Sequence, residues 1–505
     1  MRININRNSD TPVYMQIKNQ LRDMIISGEL PPGHTLPPER SLCEMLAVNR
    51  TTVVKAYHEL KADGLAEARV GRGTIVASKP GMNNSDSIRQ FNTIPWYQFF
   101  NEELEIDNHI ISDIMDINCN RDIIAFSGGF PSPGSYPLEE LEKVQSKLLK
   151  SYGKQLLLHN PVEGLHSLRA GISRLMKSRS AEVNAKDIMI LSGSQQGLDY
   201  VSRVFLKPGD AVILEEPSFF GAIQIFRAAG AKIIGVPTDS CGMRTDILEA
   251  LIQRYKPKFI YTLPTFQNPS GMVMSLERRY ELLNLSYKHR IPIVEDDPYS
   301  DLRYSGKPLP SLKALDPYEH VIYLSTFSKV LSIGLRLGWV AAPQQVISKF
   351  AYLKQMTDLH VNTPCQYMIS EFLEQKLYER HLEKVIAEYS SKLEIMNNSL
   401  KKWQVPGVAW EKPEGGFYIW CRLPGYVTNN RLVSKAAEKG VVYLPGEIFY
   451  PDGTQGESFI RLNFTFPDQD SIEEGIKRLM SALSEVTVKN MESVKDAANA
   501  RRPIL

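Results

Sequence analysis

Apolar positions in the first eighty residues fall into three helical stripes and then two short alternating runs. Val13, Ile17, Leu21, Met24 and Ile25 recur at helical spacing between Pro12 and Ser27, and Gly28 stops that stripe as a C-terminal cap. Leu30-Pro31-Pro32-Gly33 reads as a turn, and Pro37-Pro38-Glu39-Arg40 opens a short second helix through Leu42, Met45 and Leu46. Asn49 is placed to cap a third helix, Arg50 to Asp63, which turns Val53, Tyr57 and Leu60 inward and ends at Gly64. Leu65 to Val70 and Thr74 to Ala77 predict two strands joined by the tight turn Gly71-Arg72-Gly73.

The pattern then changes. From Ser78 to about Arg121 the chain holds Gly81-Met82-Asn83-Asn84-Ser85 and an aromatic stretch, Trp96-Tyr97-Gln98-Phe99-Phe100, which reads as a linker that partly docks. Beyond it, strand-like runs alternate with helical ones: Ile188 to Leu191, Ala211 to Leu214, Lys232 to Val236, Phe259 to Leu263, Ile291 to Glu295, Val321 to Leu324 and Gly338 to Ala342. Such alternation predicts an α/β body with a mostly parallel sheet covered by helices on both faces. The expected organisation is a head over 1–78, a linker over 79–120, a body over 121–489 and a polar tail over 490–505.

Composition adds exclusions. Hydrophobic residues make up 43% of the 505 and charged residues 23%, the balance of a folded globular protein. No apolar run approaches the roughly 18 residues that cross a bilayer, and the N-terminus lacks the apolar core of a secretory signal, so the cytoplasm is the expected location. The five cysteines are scattered, no two closer than 56 residues, and read as buried thiols; neither they nor the nine histidines show a metal-ligand spacing, so no metal is expected. Net charge is +2, but unevenly placed: residues 1–80 hold 11 Lys or Arg against 8 Asp or Glu, and residues 81–125 hold 2 against 8. A basic head on an acidic tether suits a head that meets a polyanion.

Helix, helix, helix, hairpin is the order of a winged helix-turn-helix. The third helix begins its outer face with Arg50, Thr51, Thr52 and Lys55, groups that hold phosphates and reach base edges in a major groove, and Arg72 at the hairpin tip would meet the backbone or minor groove. The series Leu36-Pro37-Pro38-Glu39-Arg40-Ser41-Leu42, Val48-Asn49-Arg50-Thr51-Thr52-Val53, Glu59-Leu60-Lys61-Ala62-Asp63-Gly64-Leu65 and Gly71-Arg72-Gly73-Thr74 resembles the GntR family of bacterial transcription factors. The resemblance assigns Arg40, Arg50, Thr51, Thr52, Lys55, Arg72 and Gly73 to operator DNA. Asn49 and Pro38 stand where serines are usual, changes that conserve capping and turn formation.

In the body, chemistry-bearing residues collect after strands, where ligands gather in such sheets. Ser192-Gly193-Ser194-Gln195-Gln196-Gly197 opens a helix as an anion cradle without being a dinucleotide or ATP motif. Glu295-Asp296-Asp297-Pro298-Tyr299 follows one strand; Ser325-Thr326-Phe327-Ser328-Lys329, with Arg336 beyond, follows another. Pyridoxal phosphate needs a lysine for a Schiff base, a carboxylate at its ring nitrogen, donors to its phenolate oxygen and an anion cradle. Lys329, Asp296, Tyr299 with Asn268, and Ser194, Gln195, Ser328 and Arg336 supply each in turn.

Residues 120–485 resemble the fold type I aminotransferases through Thr265-Phe266-Gln267-Asn268-Pro269-Ser270-Gly271, Val294-Glu295-Asp296-Asp297 and Ser325-Thr326-Phe327-Ser328-Lys329. The resemblance implies a smaller C-terminal α+β subdomain, adds Thr326 to the cofactor contacts, and puts Phe219 against the pyridine ring, where tyrosine is usual. It also gives Arg461 a substrate or effector carboxylate, a role suited to a guanidinium fork on a pocket-facing strand. A GntR-like head before an aminotransferase-like body resembles the MocR subfamily of bacterial regulators. That resemblance implies a pyridoxal-phosphate-dependent regulator, acting as a homodimer, which binds operator DNA and senses an amine, an amino acid or the cofactor itself. The alternative is a working aminotransferase with an accessory head.

Overall fold

Burial of the apolar stripes divides the chain into two units, residues 1–105 and 106–505, in a computed structural model that describes residues 12–46, 48–69, 73–77, 123–453 and 455–499, together with Ile3 and Ile5. The expected linker, its Trp96 to Phe100 stretch, Arg72 and Cys119 lie outside the described residues.

The head has helices Val13–Ile26, Glu39–Leu46 and Arg50–Ala62, then antiparallel strands Ala66–Arg69 and Gly73–Val76 with Ala66 opposite Val76. Ile17, Leu21, Leu42, Val53, Ala56 and Leu60 are completely buried in its core, and Tyr57 donates from its hydroxyl to the Pro37 carbonyl. One expectation fails locally: Asn49 has the extended backbone of an N-cap, but its side chain makes no capping hydrogen bond.

In the body, eight strands run in the order Ile188–Leu191, Gly338–Ala341, Val321–Thr326, Ile293–Asp296, Ile260–Thr262, Ala211–Glu216, Lys232–Asp239, Gly242–Met243. Pairings from Val321–Thr326 across to Lys232–Asp239 are parallel. Gly338–Ala341 is antiparallel to both neighbours and Gly242–Met243 to its one, so the sheet is mostly parallel, as expected, with two reversed strands that the sequence pattern does not single out. The cause is length. The connection from Phe327 to Leu337 is too short for a helical crossover, which takes a dozen or more residues, so the chain folds straight back. Because Gly338–Ala341 reverses against both neighbours, Ile188–Leu191 points the same way as the parallel strands. Its carboxyl end therefore lies on the same sheet edge as theirs.

The second sheet is antiparallel, in the order Ala409–Trp410, Tyr418–Arg422, Phe459–Asn463, Leu444–Pro445. It forms the smaller C-terminal part with helices Leu377–Lys402 and Gln469–Asn499. The last helix buries Ile472, Ile476, Leu479, Leu483 and Val486 at helical spacing and continues to Asn499, through residues the sequence assigns to a tail. Cys421 is buried, Cys43 and Cys365 partly so, but Cys241 is exposed, which corrects the expectation of buried thiols. Among the described residues no helix is long and apolar enough to cross a membrane, and no cluster of His, Cys, Asp or Glu is arranged to hold a metal ion.

Candidate functional site

The carboxyl ends of five strands deliver side chains to one cavity of about 320 Å³. Gly193, Ser194 and Gln195 follow Ile188–Leu191; Phe219 and Phe220 follow Ala211–Glu216; Leu263 and Asn268 follow Ile260–Thr262; Asp296 and Tyr299 lie at the end of Ile293–Asp296; Thr326, Ser328 and Lys329 follow Val321–Thr326. Arg336 and Arg461 complete the wall. The structure thus brings around one space every body residue the sequence nominates.

Lys329 donates to the Gly129 carbonyl at 2.7 Å, and burial, with the Arg461 and Arg336 charges, pushes its pKa down to about 8 against the opposing pull of Asp296. Such an amine is partly neutral near physiological pH and so is a competent nucleophile. Alternation along Ile293–Asp296 separates neighbouring carboxylates. Glu295 accepts from the backbone amides of Leu312 and Lys313, whereas Asp296 reaches the cavity. Its Oδ2 accepts from the Tyr261 hydroxyl at 2.9 Å, while its Oδ1 is buried without a partner. Burial pushes Asp296 up to about 7. Asp297 instead accepts from Tyr323 and from the Ser300 amide and does not line the cavity.

The cradle depends on glycine at one point. Gly193 has φ +90°, and a Cβ there would lie 2.8 Å from Arg336 Nη2. Arg336 Nη2 donates to the Ser192 carbonyl at 2.9 Å, which ties the guanidinium to the loop that opens the Ser194–Phe205 helix. Thr326 is less available than its motif implies, because its hydroxyl lies 2.9 Å from both the Leu337 carbonyl and Ser328 Oγ and accepts from the Ser328 amide.

Arg461 is buried, with Nη1 donating to Asn268 Oδ1 at 2.9 Å and Nη2 to the Ser127 carbonyl at 2.8 Å. Asn268 therefore has its amide nitrogen left as a donor. The Arg461 guanidinium lies 4.0 Å from the centre of the Tyr418 ring, and Tyr418 and Tyr299 hydrogen-bond through their hydroxyls at 2.9 Å. Of the alternating residues on that strand only Arg461 lines the cavity; Phe459 stacks on Trp420, and Asn463 accepts from the Phe466 amide.

Sequence reasoning misses Tyr418, Tyr261 and the Ser127 to Phe130 segment. Tyr418 and Tyr261 sit inside strands with no motif around them, and only pairing across the sheets brings them to the site. The glycine pair Gly128-Gly129 is the one local signal: a Cβ on Gly129 would lie 2.9 Å from the Tyr418 hydroxyl.

An unpartnered buried carboxylate oxygen, an amine of lowered pKa and a cationic, glycine-formed cradle in one cavity fit pyridoxal phosphate, whose ring nitrogen, aldehyde and phosphate need those three partners. In the head, Arg40 in the second helix is exposed, as are Arg50 and Thr51 at the start of the third, where Thr52 is half-buried. Arg50 pairs with Glu39 at 3.3 Å, and Lys55 Nζ lies 3.9 Å over the Tyr14 ring. Gly73 opens the second strand at φ +78°.

Residues 127–479 match the family model for aminotransferase class I and II, and residues 13–76 match that for bacterial regulatory proteins of the gntR family. The chain is 37% identical to aromatic-amino-acid aminotransferase 1 of Thermococcus litoralis over 78% of its length and 96% of that protein. It is 33% identical to the HTH-type transcriptional regulator YisV of Bacillus subtilis, over 93% of its length and 96% of that protein. In structure it is similar to LysN, an α-aminoadipate aminotransferase from Thermus thermophilus solved with N-(5′-phosphopyridoxyl)-L-leucine, at a TM-score of 0.73 and 34% identity over 78% of this chain and 99% of that one. The chain belongs to the class I and II aminotransferase family, which uses pyridoxal phosphate, and its gntR-family head makes it a transcriptional regulator of the MocR type.

Proposed function

We propose that the protein binds operator DNA through its head and reads a small amine or amino acid through pyridoxal phosphate held in the body's cavity. The observation that carries this is the meeting of Lys329, the open Oδ1 of Asp296 and the Gly193 to Gln195 cradle in one cavity of a chain with a gntR-family head. When bound, the cofactor supplies a reactive aldehyde conjugated to an electron-withdrawing ring.

The chain's own groups take the following parts. Lys329 would provide the amine through which the cofactor is held. Asp296, oriented by Tyr261, would hold a proton at the ring nitrogen. Asn268 and Tyr299 would donate toward the phenolate side, Phe219 would stack on the ring, and Ser194, Gln195, Ser328 and Arg336 would hold the phosphate. Arg461, stacked on Tyr418, binds a carboxylate in place of the oxygens it now holds. Arg40, Arg50, Thr51, Thr52, Lys55, Arg72 and Gly73 meet DNA. The head is assigned to residues 1–78 and the tether to 79–120.

The protein acts in the cytoplasm as a homodimer. Leu157 and Leu158, 81% and 61% exposed, adjoin His159, and Met356 and Leu359, 58% and 53% exposed, precede His360, whose ring meets that of His159 at 4.7 Å. The test is a footprint of the full-length protein on DNA flanking its own gene, with and without candidate amines, beside a steady-state transamination assay. Amine-dependent protection supports the reading; turnover without protection at low salt replaces it with the enzyme alternative, which the 37% identity to an aminotransferase keeps in view.

A further inference from the structure

Lys354 is completely buried, yet it lies outside the cavity. It sits in the Gln344–Thr357 helix and donates to both oxygens of Asp358 at 2.9 Å and to Gln196 Oε1 at 3.1 Å. A buried ammonium is costly to retain unless it is paired, and an apolar residue of similar volume would cost less. Its partners show where the charge is directed. Gln196 Oε1 also accepts from the Ser192 amide at 2.9 Å, and Gln196 Nε2 donates to Asp358 Oδ2 at 2.9 Å. With donors on its oxygen side and a carboxylate on its nitrogen side, the Gln196 amide has a single satisfied orientation. That orientation holds the Ser192 N–H, while the Ser192 carbonyl holds Arg336. Both polar groups of the peptide units around Ser192 are thereby fixed just before Gly193 turns to φ +90° and Ser194 starts its helix.

We propose that Lys354, Asp358 and Gln196 are positioning residues for the phosphate cradle: a buried lysine paired with a partly exposed carboxylate sets one amide, which sets the loop. The proposal rests on the assignment of the cavity to pyridoxal phosphate. Its specific consequence concerns the phosphate alone, because Lys329, Asp296 and Phe219, which would meet the remainder of the cofactor, lie at the ends of other strands or in the segments that follow them.

The experiment compares full-length wild type, Lys354→Met and Asp358→Asn for binding of pyridoxal phosphate and of pyridoxal, which has the same ring and aldehyde without the phosphate, by absorbance titration. Partners that orient a ligand-holding group typically change affinity by about 10-fold or more, so Lys354→Met should lose about that much for pyridoxal phosphate and little for pyridoxal. Asp358→Asn keeps an acceptor at a partly exposed helix end and serves if Lys354→Met does not fold; it should shift the ratio of the two affinities in the same direction by less. Equal weakening of both ligands, or no change in either, overturns the proposal while wild type still binds pyridoxal phosphate. Failure of wild type to bind pyridoxal phosphate would overturn the cavity assignment and this inference with it.

Discussion

Lys329 concentrates the chemistry of the body, and its environment makes its behaviour testable. Purified wild type should be yellow and lock its chromophore covalently on borohydride reduction; Lys329→Ala should bind cofactor without that covalent label. Burial lowers its pKa to about 8, so the neutral, attacking form grows as pH rises through that value. Cofactor capture by stripped protein should accelerate from pH 7 to 9, and a rate that fell over that window would mean the amine does not limit capture. Asp296 is shifted the other way, up to about 7, because burial and the neighbouring Asp297 charge disfavour its own charge against the pull of the Tyr261 hydrogen bond and Lys329. A protonated ring nitrogen would restore the carboxylate, so Asp296→Asn should weaken cofactor binding and shift the bound chromophore. For Arg461, breaking a charge-assisted fork typically costs a few kcal/mol, so Arg461→Ala should lose about 100-fold for a carboxylated amine and little for one without a carboxylate. Titration of matched ligand pairs checks it.

Turns and helix starts decide what the elements can hold. The Ile188–Leu191 strand passes to its helix through Gly193, and any side chain there meets both a left-handed backbone and Arg336 at 2.8 Å. Gly193→Ala should therefore weaken cofactor binding more than a surface change of similar size, as read by equilibrium dialysis. The third helix of the head is the corresponding element for DNA. Its Asn49 cap supplies no side-chain acceptor, and Arg50 stands 62% exposed in an ion pair with Glu39, a surface pair of small worth that a phosphate or base can displace. Arg50→Ala should weaken operator binding and relax base preference. Arg72→Ala should weaken all sequences alike and reduce the salt slope by about one. Salt titrations on operator and random DNA separate the two outcomes.

For the molecule as a whole, one chain carries a gntR-family DNA-binding unit and an aminotransferase-family unit. A dimer would present two heads, so the operator should contain two related half-sites, and if residues 79–120 act as the proposed tether of about 40 residues their separation would be wider than a compact repressor allows. Lengthening the spacer between half-sites by one helical turn should cost little in affinity, whereas half a turn should cost more; gel-shift measurements on spaced operators distinguish these. Insensitivity to any spacing would mean the heads bind independently.

Local grammar made much of this protein legible. The helical stripes of the head and the strand runs of the body needed only periodicity, and Lys329, Asp296 and the Ser194 cradle sit at strand ends, where local motif and topology coincide. Tertiary structure decided what depends on pairing between distant segments. The reversal of Gly338–Ala341 followed from a short connection that the strand pattern alone does not weigh. Asp296, the carboxylate the sequence already selects, lines the cavity, while Asp297 accepts from Tyr323 and the Ser300 amide outside it. Tyr261 and Tyr418 reached the site only through neighbouring strands, and Lys354 reached the cradle from a helix 158 positions along the chain from Gln196. A sequence specifies which groups are available, but their partners are fixed by burial, which acts through space and leaves no mark on the residues alongside.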